Sequence, residues 1–240
     1  MNKLALPTGV EKEEERDSLG GDTLPAGVYK GVVDMAYLDK APSGALHVVL
    51  AIATEGRVIR QTTYISNKEG KFTYGQGKDM KPLPGYTQMD TFFNSLTDKG
   101  IGEQEIEEKT IKVFDFTQRK EVNAQKDVFT SVLKLPVAVG ILDVKDEKTT
   151  KESNYEQGTG EFRKFNEFNK WFDSDTGLTL KEKSDGVSEP NFLVKWKEQY
   201  EGKVTTRLAK KTGTVKGASG VSEAFLGKPS DTPTTGMFDN

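Results

Sequence analysis

The chain has 240 residues, of which 34% are hydrophobic and 30% are charged, and its formal net charge is −3. This length suffices for one large or two small domains with a buried core, and the low hydrophobic content predicts solvated segments around that core. The sequence has no cysteine and one histidine, His47, which excludes disulfides and argues against a zinc site or a Ser-His-Asp triad.

Residues 1–22 are polar and acidic and contain the run EKEEERD, so we expect a flexible acidic arm. They lack the apolar core of a signal peptide. No run in the chain approaches the roughly 18 apolar residues of a membrane span. We therefore expect a soluble protein that stays in the cytoplasm and makes no contact with a membrane.

Three β-strands are predicted next, over residues 24–38, 45–56 and 57–66. Each is rich in β-branched and aromatic residues, and the turn residues Pro42 and Gly44 separate the first two strands. Strands joined by such short turns form a β-meander, which is the opening of a small barrel or sandwich.

A helix is predicted over residues 84–101, with Thr87 as its N-cap and Gly100 at its end. Its apolar residues recur at helical spacing: Met89, Phe92, Phe93 and Leu96. Residues 103–109 (EQEIEEK) predict a further short helical turn. Strand patterning then returns in residues 110–116 and 126–147, where Pro136 marks a break or an edge position.

The predicted order is therefore three strands, a helix and at least two more strands. A five-stranded barrel with a helix after its third strand is the layout of an OB-fold. We predict a mainly β fold of the α+β type, with an OB-fold-like five-stranded barrel and an inserted helix.

The C-terminal part of the chain alternates polar and aromatic segments. Residues 148–165 are polar and contain glycines, which predicts a hairpin tip or a flexible loop, and residues 166–172 form a short aromatic segment docked on the barrel. A C-terminal helix is predicted over residues 188–200, capped by Ser188. Its aromatic residues recur every four positions: Phe192, Trp196 and Tyr200.

The domain organisation follows from this order of elements. After Leu208 the chain is rich in Gly, Ser, Thr and Pro and has no sustained period. We predict a single OB-like domain over residues 23–207 and a disordered tail over residues 208–240.

The stretch RQTTYISNKEGKFTYGQGKDMKPLPGY, residues 60–86, alternates cations, aromatic residues and glycines with hardly any aliphatic residues. In a β-ribbon Phe72 and Tyr74 share one face, and glycines allow close approach of a ligand. Such rings suit single-stranded nucleic acid, because bases stack on them while neighbouring cations meet phosphates. No helix of the kind that reads duplex DNA is evident. The alternative is that the tyrosines support a loop and the lysines are only solvated.

Charge is segregated along the chain, although its net value excludes a globally basic surface. Residues 57–86 carry six cations and two anions, and residues 203–217 carry five cations and no anion. We predict that DNA contacts come from the cations and rings of these stretches: Arg57, Arg60, Tyr64, Lys68, Lys71, Phe72, Tyr74, Lys78, Lys81, Tyr86, Lys203, Arg207, Lys210 and Lys211.

A family resemblance is carried by five segments of the sequence: GDTLPAGVYKGVVDMAYLDKAPSGALHVVLAI, TTYISNKEGKFTY, LPGYTQMDTFFNSLT, IEEKTIKVFDFTQRKEV and EPNFLVKW. In their order and local sequence these segments resemble the single-stranded DNA-binding proteins of certain tailed bacteriophages, over about residues 20–208. The resemblance implies an OB-like core that coats single-stranded DNA without strong sequence preference during phage replication and recombination. It also implies the cytoplasm of an infected bacterium as the location.

Proteins of this family often recruit phage or host replication, recombination or transcription proteins through an acidic tail with a terminal aromatic residue. The last ten residues here, DTPTTGMFDN, contain Phe238 but only Asp231 and Asp239 as acids. The sequence therefore departs from the family pattern in its tail.

Two alternatives from other classes stay open. The acidic residues Glu103, Glu105, Glu107 and Glu108 raise the thought of a metal-dependent nucleic-acid enzyme. They lack the carboxylate motifs of such sites, and an exposed acidic face explains them. We therefore predict no catalytic residue, no metal ligand and no cofactor. The second alternative is a phage structural β-barrel protein without affinity for single strands.

Overall fold

The structure, a computed structural model, describes residues 23–115, 120–152 and 155–209, and it is mainly β. The expected acidic arm and nearly all of the expected tail lie outside the described residues. One sheet has eight strands: β1 (Gly27–Lys40), β2 (Leu46–Thr54), β3 (Arg57–Tyr64), β6 (Ile106–Asp115), β7 (Lys120–Phe129), β8 (Pro136–Glu152), β9 (Tyr155–Phe172) and β10 (Val204–Arg207).

The remaining elements are short or helical. A separate two-stranded ribbon consists of β4 (Thr73–Tyr74) and β5 (Lys81–Pro82). The helices are α1 (Pro84–Thr97), α2 (Leu180–Ser184) and α3 (Asn191–Tyr200), with single 3-10 turns at Gly77–Asp79, Ile101–Glu103 and Thr130–Val132. Among the described residues no helix is long and apolar enough to cross a membrane.

Five strands form the body of the sheet in the order β3-β2-β1-β8-β9. Strand β1 pairs with β2 on one side; on the other side it pairs first with β8 and then, near Tyr37, with β7. Because β7 also pairs with β6, the β6-β7 hairpin extends the same sheet. Where β1 leaves β8, β10 takes its place in parallel. Strand β9 lies against β3 and α1: the Phe168 N–H donates to the Gln61 side chain of β3, and the Gln88 amide of α1 donates to the Phe168 carbonyl.

The main core lies between the inner face of this sheet and α1. Met89, Phe92 and Phe93 are fully buried, as their helical spacing predicts. The ring of Phe92 lies 4.8 Å from that of Trp171, and the ring of Phe93 lies 4.6 Å from that of Phe129. Burying such large rings is the main favourable contribution to the stability of this core.

A second core lies on the outer face of β8 and β9, under α3. Because side chains alternate along a strand, Val139 and Ile141 enter the main core while Ala138, Leu142 and Val144 enter the second. A Cβ on Gly140 would lie 2.9 Å from the Trp196 ring, so the missing side chain allows α3 to approach closely. Strand β8 is therefore buried on both faces in this part.

Several sequence expectations need correction. Within the described residues the sheet has eight strands, not five, because the β6-β7 hairpin and the short strand β10 are added to β1, β2, β3, β8 and β9. Of the two expectations for residues 148–165, the structure agrees with a hairpin and not with a flexible loop, since β8 runs to Glu152 and β9 begins at Tyr155. Cross-strand ion pairs such as Arg163 with Asp146 leave no apolar strand pattern there. Residues 166–172 are the end of β9, which runs to Phe172, and not a separate segment docked on the barrel.

The helix boundaries also differ from those expected. Leu83, not Thr87, precedes α1, because Pro84 fits the first helical position. The helix ends at Asp98, which adopts the left-handed conformation with φ 56°, and not at Gly100. Pro190, not Ser188, precedes α3. Residues 103–109 form no helical turn of their own, since β6 begins at Ile106.

Candidate nucleic-acid interface

The outer face of β2 and β3 is the part of the sheet that carries the predicted site. Along β3, Ile59 and Thr63 are buried while Arg60 and Tyr64 point outward and are exposed. Residues paired across strands share a face, so Tyr64 lies beside His47 of β2. The helices α1 and α3 pack on other surfaces of the sheet. This leaves an outward face with a ring and a cation on the same strand.

Tyr64 is the most exposed of the predicted rings, at 54% against 40% for Phe72 and 43% for Tyr74. Its ring centroid lies 5.2 Å from that of His47. Burial lowers the pKa of His47, so this imidazole is neutral at pH 7. Side chains alternate along β3, so the Tyr64 side chain points outward, on the same face as Arg60.

The face continues from Tyr64 across β2 onto β1 and β7. Tyr37 of β1 pairs with Val128 of β7, and Lys126 lies with its Nζ 5.9 Å from the centre of the Tyr37 ring. Burial and the charge of Asp39 raise the pKa of Tyr37, and the charge of Arg60 partly opposes that rise. Lys126 also forms an ion pair with Asp39 at 2.7 Å.

The loop of residues 65–83 is anchored at the end of this face. The Asn67 side-chain oxygen accepts hydrogen bonds from the N–H groups of Glu69 and Lys71, which closes a tight turn. The Leu46 N–H donates to the Ser66 hydroxyl. These contacts hold the loop against the start of β2, so Lys68 and Lys71 lie near the Tyr64 end of the face.

Two of the predicted rings sit in this loop. The Phe72 ring lies 5.5 Å from the Tyr86 ring, and Tyr86 is half-buried against the main core. Tyr86 is therefore a support for Phe72 more than a platform of its own. Tyr74 pairs with Lys81 across the β4-β5 ribbon, so ring and cation share one side of it.

The start of α1 is pressed against the end of β3. A Cβ on Gly85 would lie only 2.0 Å from the carbonyl oxygen of Tyr64, so a glycine is required at this contact. The Leu83 N–H donates to the Phe72 carbonyl at 2.8 Å. The loop is thus held at both ends, which fixes its rings relative to Tyr64.

The predicted cations of this region differ in their surroundings. Lys68, Lys78 and Lys81 are exposed and form no ion pair within the described part of the chain. Lys71 is exposed and lies 3.2 Å from Glu69. Arg57 is exposed at the opposite end of β3 from Tyr64, roughly 20 Å away at about 3.3 Å per residue.

The second basic stretch lies elsewhere on the molecule. The Lys203 ammonium donates to the carbonyls of Glu198 and Gln199 at the end of α3. The Arg207 guanidinium makes two hydrogen bonds to Glu167, which raise its pKa further. Both cations thus have structural partners, and three strands (β8, β1 and β2) separate β10 from β3 in the sheet order. Lys210 and Lys211 lie outside the described residues.

The sequence reasoning missed ring and cation pairs on the β8-β9 hairpin. The Lys145 Nζ lies 4.5 Å from the centre of the Phe162 ring, and the Arg163 guanidinium lies 5.2 Å from the Phe165 ring. The run Phe-Arg-Lys-Phe at residues 162–165 repeats the ring and cation alternation of residues 60–86. That repetition was a usable signal, but the segment was expected to be a hairpin tip or a flexible loop and was not considered as a binding face.

The acidic residues considered for a metal enzyme are dispersed. Glu103 accepts from the Gly100 N–H, and Glu107 is engaged by Thr130 and Lys109. Glu107 and Glu108 are adjacent in β6 and so face opposite sides of the hairpin. Within residues 23–115, 120–152 and 155–209, no group of three His, Asp or Glu residues is placed to hold a metal ion.

No protein-family model matches this chain, and neither the curated proteins nor the solved structures contain a significant match to it. Function is therefore inferred from the residues and geometry of the chain itself.

Proposed function

We propose that this protein binds and coats single-stranded DNA without strong sequence preference and is not an enzyme. One observation carries the proposal: Tyr64, Phe72 and Tyr74 are each 40–54% exposed within a single anchored segment that also presents Lys68, Lys81 and neighbouring cations. Large rings are normally buried for their hydrophobic contribution, so three exposed rings beside cations require an explanation.

Single-stranded nucleic acid fits this arrangement better than duplex DNA. Unpaired bases can stack on exposed rings, at about 1–3 kcal/mol each, while cations contact the phosphates between them. A duplex keeps its bases stacked on each other and is read by a helix or ribbon inserted in a groove. Here Tyr64 ends a strand and Tyr74 lies on a short ribbon, so the rings can contact successive bases of a flexible strand.

We also propose that the five strands β3-β2-β1-β8-β9 form an OB-like barrel. Support comes from their order in the sheet and from the position of α1, which lies between β3 and β8 along the chain. The contact of β9 with β3 through Gln61 adds to this support. OB-folds use the face of their second and third strands to bind oligonucleotides. The face that bears Arg60 and Tyr64 corresponds to that surface.

The biological setting rests on the resemblance of the sequence to phage single-stranded DNA-binding proteins. On that basis the protein acts in phage DNA replication and recombination in the cytoplasm of the infected bacterium. Recruitment of replication, recombination or transcription proteins is assigned to the tail, which lies outside the described residues.

The test is a fluorescence-anisotropy titration with a labelled 30-nucleotide oligonucleotide, single-stranded and as a duplex, at two salt concentrations. We expect clear preference for the single strand and weaker binding at higher salt. Equal affinity for both forms would contradict the proposal. A structural barrel protein would bind neither, and a metal-dependent enzyme would shorten the oligonucleotide when magnesium is added.

A further inference from the structure

Strand β6 forms a long open edge of the sheet. It pairs along its length with β7, and no other strand in the described part of the chain pairs with it. By contrast, the Gln61 side chain of β3 accepts a hydrogen bond from the Phe168 N–H of β9, and Gln88 of α1 donates to the Phe168 carbonyl. An open edge presents unpaired N–H and C=O groups and can accept another strand.

The sequence of β6 is complementary to itself when two copies run antiparallel about Thr110. That register places Glu108 opposite Lys112 and Ile106 opposite Phe114, twice each by symmetry, with Thr110 opposite its own copy. Ile106 and Phe114 are 45% and 41% exposed. Opposite charges and large apolar residues facing each other stabilise a strand pair.

Neighbouring symmetric registers are less favourable. Centring the pair on Lys109 places that lysine opposite itself, and centring it on Glu108 places two carboxylates together. Like charges directly opposite destabilise strand pairing. A register centred on Ile111 leaves Glu108 and Lys112 without opposite charges. Of these registers, only the one about Thr110 places Glu108 opposite Lys112 and sets no like charges of β6 opposite each other.

A charge imbalance on the hairpin points to the same partner. Glu108 lies directly opposite Asp127 of β7, both are exposed, and neither has an ion pair within the described residues. Lys40 lines a surface depression together with Glu108 and Asp127, but it forms no ion pair with either carboxylate within the described residues. In the proposed register Lys112 of a second copy would lie next to Glu108 and relieve this repulsion.

We propose that two copies of this chain associate through β6, antiparallel and centred on Thr110, to give a two-fold symmetric dimer with one continuous sheet. The proposal does not depend on nucleic-acid binding, and its tests are done without nucleic acid. Charged residues on an edge strand often serve to prevent pairing. Here their order along β6 favours one self-complementary register.

The first test is disulfide trapping in the full chain, which has no cysteine of its own. In the proposed dimer the two copies of residue 110 have Cβ atoms about 4.5–5.5 Å apart, close enough for a disulfide after small adjustment. Thr110→Cys should therefore form a covalent dimer under mild oxidation. The matched control is Asn123→Cys, an exposed residue of β7 one strand away from the edge, which should remain monomeric on a non-reducing gel. Equal cross-linking of both variants would overturn the proposal.

The second test is sedimentation equilibrium of charge variants. Lys112→Glu places two new like-charge contacts in the dimer and should weaken it about tenfold, and Glu108→Lys should do the same. The double variant Glu108→Lys/Lys112→Glu should restore the dimer. Lys195→Glu, on an exposed position of α3, makes the same change in charge elsewhere and should have no effect.

Two outcomes of this experiment would overturn the proposal. One is a wild-type chain that stays monomeric at about 100 µM, which is the result expected if another segment of the same chain covers β6. The other is a wild-type dimer that neither single charge reversal weakens, which would assign the contact to another surface.

Discussion

The guanidinium of Arg207 is joined to the carboxylate of Glu167 by two hydrogen bonds of 2.7 and 2.9 Å. This pair connects the short strand β10 to β9, across β8. From the sequence, Arg207 was a candidate phosphate contact, but a cation already held by a partly buried carboxylate is poorly available to DNA. Its position indicates a role in holding the C-terminal strand on the sheet.

We therefore predict that Arg207→Ala lowers the free energy of unfolding by about 1 kcal/mol, as expected for a bidentate but partly exposed ion pair. Urea denaturation would measure the change, and Glu167→Gln is the matched variant from the other partner. The salt dependence of DNA binding should stay the same. A slope reduced by about 0.7, with stability unchanged, would instead assign Arg207 to a phosphate.

A second prediction concerns Tyr64. Its ring is exposed, so Tyr64→Ala should cost less than about 1 kcal/mol of stability. The same change should weaken single-strand binding by about 1–3 kcal/mol through the loss of a stacking platform. Anisotropy titration and thermal melting measure the two effects. Tyr64→Phe keeps the ring and should bind nearly as wild type, whereas a sharp fall in melting temperature with intact binding would make Tyr64 a structural support.

The cations in the loop of residues 65–83 should determine part of the salt dependence of single-strand binding. Lys81 is exposed beside Tyr74 and has no ion pair among the described residues. Lys81→Ala should lower the slope of log affinity against log salt by about 0.7, the value for one phosphate contact with a single strand. Lys195→Ala, on the exposed side of α3, is the control and should leave the slope intact. If both variants behave alike, Lys81 contributes only to the general field of the protein.

Gly85 offers a test of how the loop is positioned. Because a Cβ there would lie 2.0 Å from the Tyr64 carbonyl oxygen, Gly85→Ala should force α1 away from β3 and cost about 1–3 kcal/mol of stability. Single-strand binding should fall as well, since the rings on either side lose their fixed spacing. Gly102→Ala is the control, because its Cβ would meet only the Tyr86 hydroxyl, at 3.8 Å. Similar stability for the two variants would contradict the close approach.

The pH dependence of stability should report on Asp173. Burial raises the pKa of this carboxyl, but hydrogen bonds from Lys183, from Thr176 and from the N–H of Asp175 outweigh burial and hold the pKa well below its usual range. A folded-state pKa below the unfolded one contributes stability above about pH 4 that is lost as the pH falls through the folded-state value.

Asp173→Asn should therefore lower the free energy of unfolding by about 1–2 kcal/mol at pH 7. The difference from wild type should shrink as the pH falls from 4 towards 2, in urea denaturation at each pH. Asp175→Asn, an exposed neighbour, should change stability by less than about 0.5 kcal/mol. A difference that stays constant with pH would contradict the assignment.

Part of this molecule could be predicted from local pattern alone. The spacing of Met89, Phe92 and Phe93 indicated the buried face of α1, and the structure confirms it. The first three strands were also predicted within two or three residues of their bounds, because each carries a continuous run of strand-forming residues. In such segments the periodicity of side chains reports directly on which face is buried.

The rest was decided by contacts between residues that are far apart in sequence. Periodicity shows which face of a strand is buried but not which strand lies beside it, so it could not place His47 next to Tyr64 or Glu167 next to Arg207. The sequence left residues 148–165 undecided between a hairpin tip and a flexible loop, because the exposed outer part of the β8-β9 hairpin is stabilised by backbone pairing and ion pairs, which leave no apolar pattern. The sequence determined where rings and cations occur, whereas strand register and helix docking determined which of them share a surface.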